Sequence, residues 1–393
     1  MKIVHIITRL ILGGAQENTI LTCEGQHELG HEVTLITGPA IGPEGELFSR
    51  AKSGEYSVET VEHMVREIKP AYDWKAAREI EKILIRTQPD VVHTHSSKAG
   101  ILGREVAFKL RKRGKIPQQC KIVHGVHGLA YHKYNSKLKN AIYVALEKRC
   151  AKKSDAIICV ADAMTQSALE FGVGSPEQYH TVYSGMEVDT FLRDQPGAQA
   201  FRKSIGVSEN EILVTQVSRI AELKGHDDII DALKFVQDKN IRFCFVGDGY
   251  WRERIEKRLV AEGLADRVKF TGLVEPERIP EIMHATDILI HLSYREGLAR
   301  TLPQALLSQT PAISYDVDGA REVVNSETGI LLPAPETLEQ NQCAELIAQS
   351  IEKLARDPEL RKRMGQAGRE LCKVRFDYRT MVSEIQKVYD QLI

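Results

Sequence analysis

EILVTQVSRIAELKGHDD, residues 211–228, runs from apolar and β-branched residues through a loop carrying Arg219 and Lys224 into a helix that opens near Gly225. A Val/Ile-rich strand without strict alternation is one buried on both faces. A helix directly after it is the β-α rhythm of a parallel sheet. Downstream the rhythm predicts strands at 241–247, 268–273, 287–293, 311–316 and 329–333. Helices fit at 225–238, 250–263, 278–285, 304–310, 338–355 and 358–371. Upstream it predicts strands at 2–8, 32–37, 90–95, 121–127, 156–161 and 180–185, with helical stretches such as 14–30 and 135–153 between them. The two series are separated by VDTFLRDQPGAQAF (188–201), rich in turn formers. The chain therefore reads as α/β, with two Rossmann-like doubly wound domains at 1–190 and 191–374. Ligands bind such sheets beyond the carboxyl ends of their strands, so two such ends facing each other across a cleft are the expected site.

A length of 393 residues suits two or three domains, and 42% hydrophobic with 27% charged residues suits a globular protein with a real core. No apolar run reaches eighteen residues, so no membrane-spanning helix is expected. The start, MKIVHIITRLILGGAQ, reads as a strand entering a Gly loop rather than as a signal peptide, because an Arg interrupts it. Seven scattered cysteines without a C-x-x-C pair favour reduced thiols and a cytoplasmic protein. A net charge of −1 gives no reason to expect nucleic acid. The charge is unevenly spread. Residues 104–153 hold fourteen Lys/Arg against Glu105 and Glu147, a net of +12. That run is either a solvated face or a basic surface for a phosphorylated acceptor or anionic lipid.

Several loops carry candidate chemistry. Gly13 and Gly14 follow the first strand and open a helix, where backbone N–H groups can approach an anion. Their spacing is not G-x-G-x-x-G, which disfavours an NAD oxidoreductase. Arg219 and Lys224 are two cations at a strand's carboxyl end, suited to a diphosphate and to the charge that develops as it leaves. FVGDGYW (245–251) and TGLVEPERI (271–279) supply further strand-end loops, with Gly247, Gly272 and Leu273, whose backbone could read a nucleobase. DVVHTHSSKAG and HGVHG hold His93, His95, His124 and His127. Residues i and i+2 of a strand share a face and i and i+3 do not, and no acid stands nearby, so the metal ligand sets are poor. His127, ahead of Gly128 at a strand's end, is instead placed to bond a polar ligand.

Taken in order, LGGAQ, HTHSSKAG, VHG, SGMEVDTF, SRIAELKG, VGDG, FTGLV and REGLARTLPQAL resemble the retaining glycosyltransferases of family 4, built on the two-Rossmann GT-B fold. The resemblance spans nearly the whole chain. It implies a metal-independent transferase that moves a sugar from a nucleotide sugar, with UDP as the nucleotide, to an acceptor hydroxyl. It puts Gly13 and Gly14 near the donor diphosphate and sugar, and Arg219 and Lys224 on the diphosphate. His127 would touch the sugar, and Glu296 with the backbone of Gly297, Leu298, Ala299 and Arg300 would hold its hydroxyls. The last helix, 375–393, would cross back onto the first domain. The acceptor side belongs to that domain, so Lys98, Arg111, Lys112 and Arg113 are candidate contacts to a glycan or lipid-linked acceptor, or to the inner face of an anionic membrane. No cofactor is implied.

One position departs from the pattern. Gln304 stands where the family has a second Glu on the nucleotide ribose. Charged hydrogen bonds contribute about 1.5–3 kcal/mol and neutral ones about 0.5–1.5, so the change costs on the order of 1 kcal/mol, about tenfold or less in donor affinity. A local role competes: Thr301-Leu302-Pro303-Gln304 fits a capping box with Thr301 as N-cap. The rivals to a transferase are a nucleotide-sugar epimerase of the same fold and a non-catalytic nucleotide-sugar sensor.

Overall fold

The computed structural model describes residues 1–39 and 47–393. It divides into two compact units, Met1–Met186 with Asp377–Ile393, and Glu187–Phe376. The division falls at Met186 rather than at 190 because Met186 bridges to Asp377 and accepts the Tyr378 N–H at 3.1 Å. The returning segment is the helix Tyr378–Leu392.

In the first unit seven parallel strands run β1 (Lys2–Ile7), β2 (Glu32–Thr37), β3 (Ser57–Thr60), β4 (Val91–His95), β5 (Lys121–Val126), β6 (Ala156–Cys159) and β7 (Tyr179–Thr181). Their spatial order is β3-β2-β1-β4-β5-β6-β7. β1 and β4 are almost wholly buried, as their apolar runs require. β3 escapes the sequence pattern: SVET is short, polar and half exposed at the sheet edge. The strand expected at 180–185 is only three residues long. On one face of the sheet Ile3, Val91 and Val123 pack under the helices Gly14–Glu28 and Tyr378–Leu392, through Leu21, Met381, Val382, Ile385 and Tyr389. On the other, Val4, Ile6, Val92 and Ile122 pack under Pro70–Thr87 and Ser97–Lys112.

The second unit repeats the plan with β8 (Ile212–Val217), β9 (Ile241–Val246), β10 (Val268–Gly272), β11 (Ile288–His291), β12 (Ala312–Tyr315) and β13 (Gly329–Leu332). The order is β10-β9-β8-β11-β12-β13, again parallel throughout. Both sheets therefore follow the doubly wound order 3-2-1-4-5-6, and each reverses direction once: between β1 and β4, and between β8 and β11. Those reversals are where a ligand crevice opens.

Candidate active site

At the reversal in the second sheet, β8 runs into the loop 218–225 and β11 into the loop 292–300. Each of the two loops is anchored. Gln216, buried on β8, donates from Nε2 to the Lys224 carbonyl at 2.7 Å. The Tyr294 N–H reaches the Leu223 carbonyl at 2.9 Å. Gly225 has φ 72°, and a Cβ there would lie 2.1 Å from the Leu292 carbonyl oxygen, so only glycine lets the loops close. The helix His226–Leu233 starts from it.

This closure brings two predicted residues together. Lys224 Nζ donates to Glu296 Oε1 at 2.5 Å, and His291 Nε2 lies 3.4 Å from the same oxygen. The Glu296 N–H is taken by Asp318 Oδ2 at 2.6 Å, and His291 Nδ1 is 3.3 Å from Thr301 Oγ1. Burial raises the Glu296 carboxyl, but Lys224 and then His291 outweigh it and hold it well below the usual carboxylate range. The pair is accessible, with about a quarter of each side chain exposed. Its geometry is a fixed ammonium and a fixed carboxylate at the mouth of a switch point, able to bind a phosphate oxygen and a hydroxyl respectively.

The other predicted residues of this unit lie around that pair. Arg219 is exposed in the same loop, and the neighbouring Ile220 N–H bonds the Asp248 carbonyl at 2.9 Å, joining the loops after β8 and β9. Gly247, φ 127°, would put a Cβ 2.2 Å from the Ser218 carbonyl oxygen, and its N–H bonds the Gly272 carbonyl at 3.0 Å. Leu273 is exposed. Gly297 accepts the Gly319 N–H at 3.3 Å, while Leu298 and Ala299 turn their side chains inward. Any contact of theirs with a ligand would be through backbone.

The capping-box alternative for Gln304 is overturned. The helix is Thr301–Leu307, its N-cap is Arg300, and no side chain caps it. Thr301 is drawn to His291 instead. Among the described residues the half-buried Gln304 amide has no hydrogen-bond partner.

In the first unit Gly13 is the N-cap of the helix Gly14–Glu28, its carbonyl accepting from Gln16 and Glu17. Its φ of 178° is ordinary extended backbone, and a Cβ would meet only the end of the Gln16 side chain at 2.7 Å. The fold does not demand glycine there. His127 lies just past β5, half-buried, with Nε2 3.0 Å from His95 Nδ1.

The basic candidates fare differently. Lys98 is taken by Asp73 at 2.6 Å, and Arg111 by Asp155 at 2.6 Å and the Cys120 carbonyl at 2.7 Å. Asp155 and Cys120 precede β6 and β5, so Arg111, and with it Lys112 and Arg113, sits at the amino edge of the sheet, the end away from His127. The helix Ser97–Lys112 starts at the carboxyl edge and has run its full length by then. These three therefore lie at the opposite end of the sheet from His127 and Gly13.

Sequence reasoning missed the residues that position the others: Gln216, His291 and Asp318 here, His5 and Gln26 in the first unit. His5 on β1 joins His93 and His95 on β4, giving three buried histidines whose ligand atoms lie within 4.8 Å of one another. The sequence shows the H-T-H pair but nothing that brings a residue 88 positions earlier beside it.

A family model described as Glycosyltransferase Family 4 matches residues 12–190, and one described as Glycosyl transferases group 1 matches residues 198–371. The chain is 25% identical over 83% of its length to the UDP-Gal:alpha-D-GlcNAc-diphosphoundecaprenol alpha-1,3-galactosyltransferase of Escherichia coli, covering 82% of that protein. It is 25% identical over 92% of its length to the N-acetyl-alpha-D-glucosaminyl L-malate synthase of Bacillus anthracis, covering 90% of it. Among solved structures, Anabaena HepE in complex with UDP-glucose superposes with a TM-score of 0.81 at 20% identity, all of both chains being covered. The two family models leave only residues 191–197 unmatched between positions 12 and 371, and the chain belongs to the glycosyltransferases, an enzyme of the GT-B fold with a family 4 amino-terminal half.

Proposed function

We propose that this enzyme is a metal-independent, retaining transferase that moves a sugar from a UDP-sugar to an acceptor hydroxyl on a glycan or lipid-linked precursor. The observation that carries the reading is the Lys224–Glu296 pair at the β8/β11 reversal, with Arg219 in the same loop. Lys224 and Arg219 bind the diphosphate and stabilise the charge that develops on it as the glycosidic bond breaks. Glu296, anionic throughout the neutral range, accepts from sugar hydroxyls and favours an oxocarbenium-like state. The Gly13–Gly14 amides face an anion at a fifteen-residue helix N-terminus, and His127 bonds the sugar. Gln304 takes the ribose as a neutral acceptor.

The acceptor reading favours an anionic membrane surface. The helix Lys137–Ala151 exposes Leu138, between Lys137 and Lys139, and Ile142 one turn further on, and Tyr134 lies just before it beside Lys133. Apolar residues set among lysines suit an interfacial helix. No helix among the described residues is long and apolar enough to cross a membrane.

A panel of nucleotide sugars tests the core of this. One donor should bind, release its nucleotide slowly without acceptor, and do so with EDTA present. Proton NMR of the transferred sugar should show the donor's anomeric configuration retained. Free nucleotide sugar as product would favour the epimerase, and binding without turnover the sensor. Failure of Leu138→Asp to weaken flotation with anionic liposomes at low salt would remove the membrane reading.

A further inference from the structure

One network in the first unit has no part in diphosphate binding. Parallel pairing sets His5 beside His93, Ile7 beside His95 and His95 beside Gly125, so these side chains share one face of the sheet with Gln26 from the helix above. His5, His93, His95 and Gln26 are fully buried or within 1% of it. Gln26 Oε1 is 2.7 Å from His5 Nε2, His5 Nδ1 is 2.9 Å from His95 Nε2, and His95 Nδ1 is 3.0 Å from His127 Nε2. The last contact needs Gly125: a Cβ there would stand 2.9 Å from His95 Nδ1 and 3.1 Å from His93 Nε2.

The chain has a direction. An amide oxygen only accepts, and a neutral imidazole has one donor and one acceptor nitrogen. With the Gln26 amide as the structure places it, Oε1 towards His5, the His5 ring carries its proton on Nε2 and accepts at Nδ1. His95 then donates from Nε2 and accepts at Nδ1, and His127 donates from Nε2. Burial keeps the imidazoles uncharged, pushing His5 down to about 4 and His95 well below its ordinary value.

We propose that Gln26, His5 and His95 are positioning residues that fix the ring and tautomer of His127, with the proton on Nε2 and the lone pair on Nδ1. The functional half of this rests on His127 contacting the transferred sugar, where an Nδ1 lone pair accepts a hydroxyl proton. A metal at His5, His93 and His95 would need a nitrogen of His5 and one of His95, and both nitrogens of each already serve the relay, so the two uses of the triad exclude each other.

The test is the nitrogen-15 spectrum of histidine-labelled, ligand-free enzyme, with His127 assigned by the signal lost in His127→Ala. The expected result is a neutral ring protonated at Nε2. Gln26→Leu should turn this into a mixture and lower transfer kcat about tenfold while leaving the donor KM within about twofold. Gln26→Glu, which keeps an acceptor, should restore both. Gly125→Ala should break the relay from the other side. A wild-type ring protonated at Nδ1, an imidazolium at neutral pH, an unchanged tautomer in Gln26→Leu, or stoichiometric zinc on the triad would each overturn the proposal. An enzyme that used no nucleotide sugar would sink the transfer reading but leave the spectrum unaltered.

Discussion

The two sheets have the same strand order and reverse at the same place, yet the chemistry at the two reversals is opposite. At β8/β11 the strand-end loops hold a partly exposed ammonium against a carboxylate. At β1/β4 the strands hold neutral imidazoles sealed from solvent and a helix N-terminus. Topology fixes where a site opens, and the side chains on the two reversing strands decide whether it handles charge or directs hydrogen bonds.

Breaking the charged side should cost most. Lys224→Ala should lower kcat for transfer about 10²–10³-fold, the usual loss when one preorganised donor is removed from a developing anion, while Lys224→Arg keeps part of it. A loss within threefold would mean the pair is structural. Glu296→Gln keeps shape and removes charge, and its deficit should be smaller, about tenfold to a hundredfold in kcat/KM, because an amide oxygen still accepts.

The same variant sharpens the comparison through pH. The folded Glu296 carboxyl is depressed below its ordinary 4.5, so its contribution to stability is complete above that value and lost as pH falls through the folded value. The Tm advantage of wild type over Glu296→Gln should therefore be flat from pH 8 to 6 and shrink below about pH 4.5. An advantage that vanished near pH 6 would assign it to a histidine instead.

Smaller effects mark the edges. Gln304→Glu should tighten donor binding by about tenfold or less, read by calorimetry, since no local bond holds the amide back. Lys112→Ala with Arg113→Ala should leave turnover within about twofold, as both lie at the amino edge of their sheet. A large loss there would restore the acceptor role that the fold argues against.

Legibility tracked how local each cause was. The strands buried on both faces could be read from periodicity, because such a strand must be apolar along its length, while the polar edge strand β7 was placed only roughly. β3 could not be read, since an edge strand has no such need. Lys224 and Glu296 were legible as strand-end residues, but their contact was not. The capping box at Thr301 was misread because His291, ten residues earlier and on the preceding strand, competes for that hydroxyl.

By itself, then, the order of residues determined the fold class, the two-domain plan and the loops that carry the chemistry, since these follow from patterns within a few dozen residues. Only the tertiary structure decided which groups meet. Lys224 and Glu296 are 72 positions apart, and His5 and His95 are 90. Strand pairing across each reversal brings them to hydrogen-bond distance, and local pattern carries no trace of it.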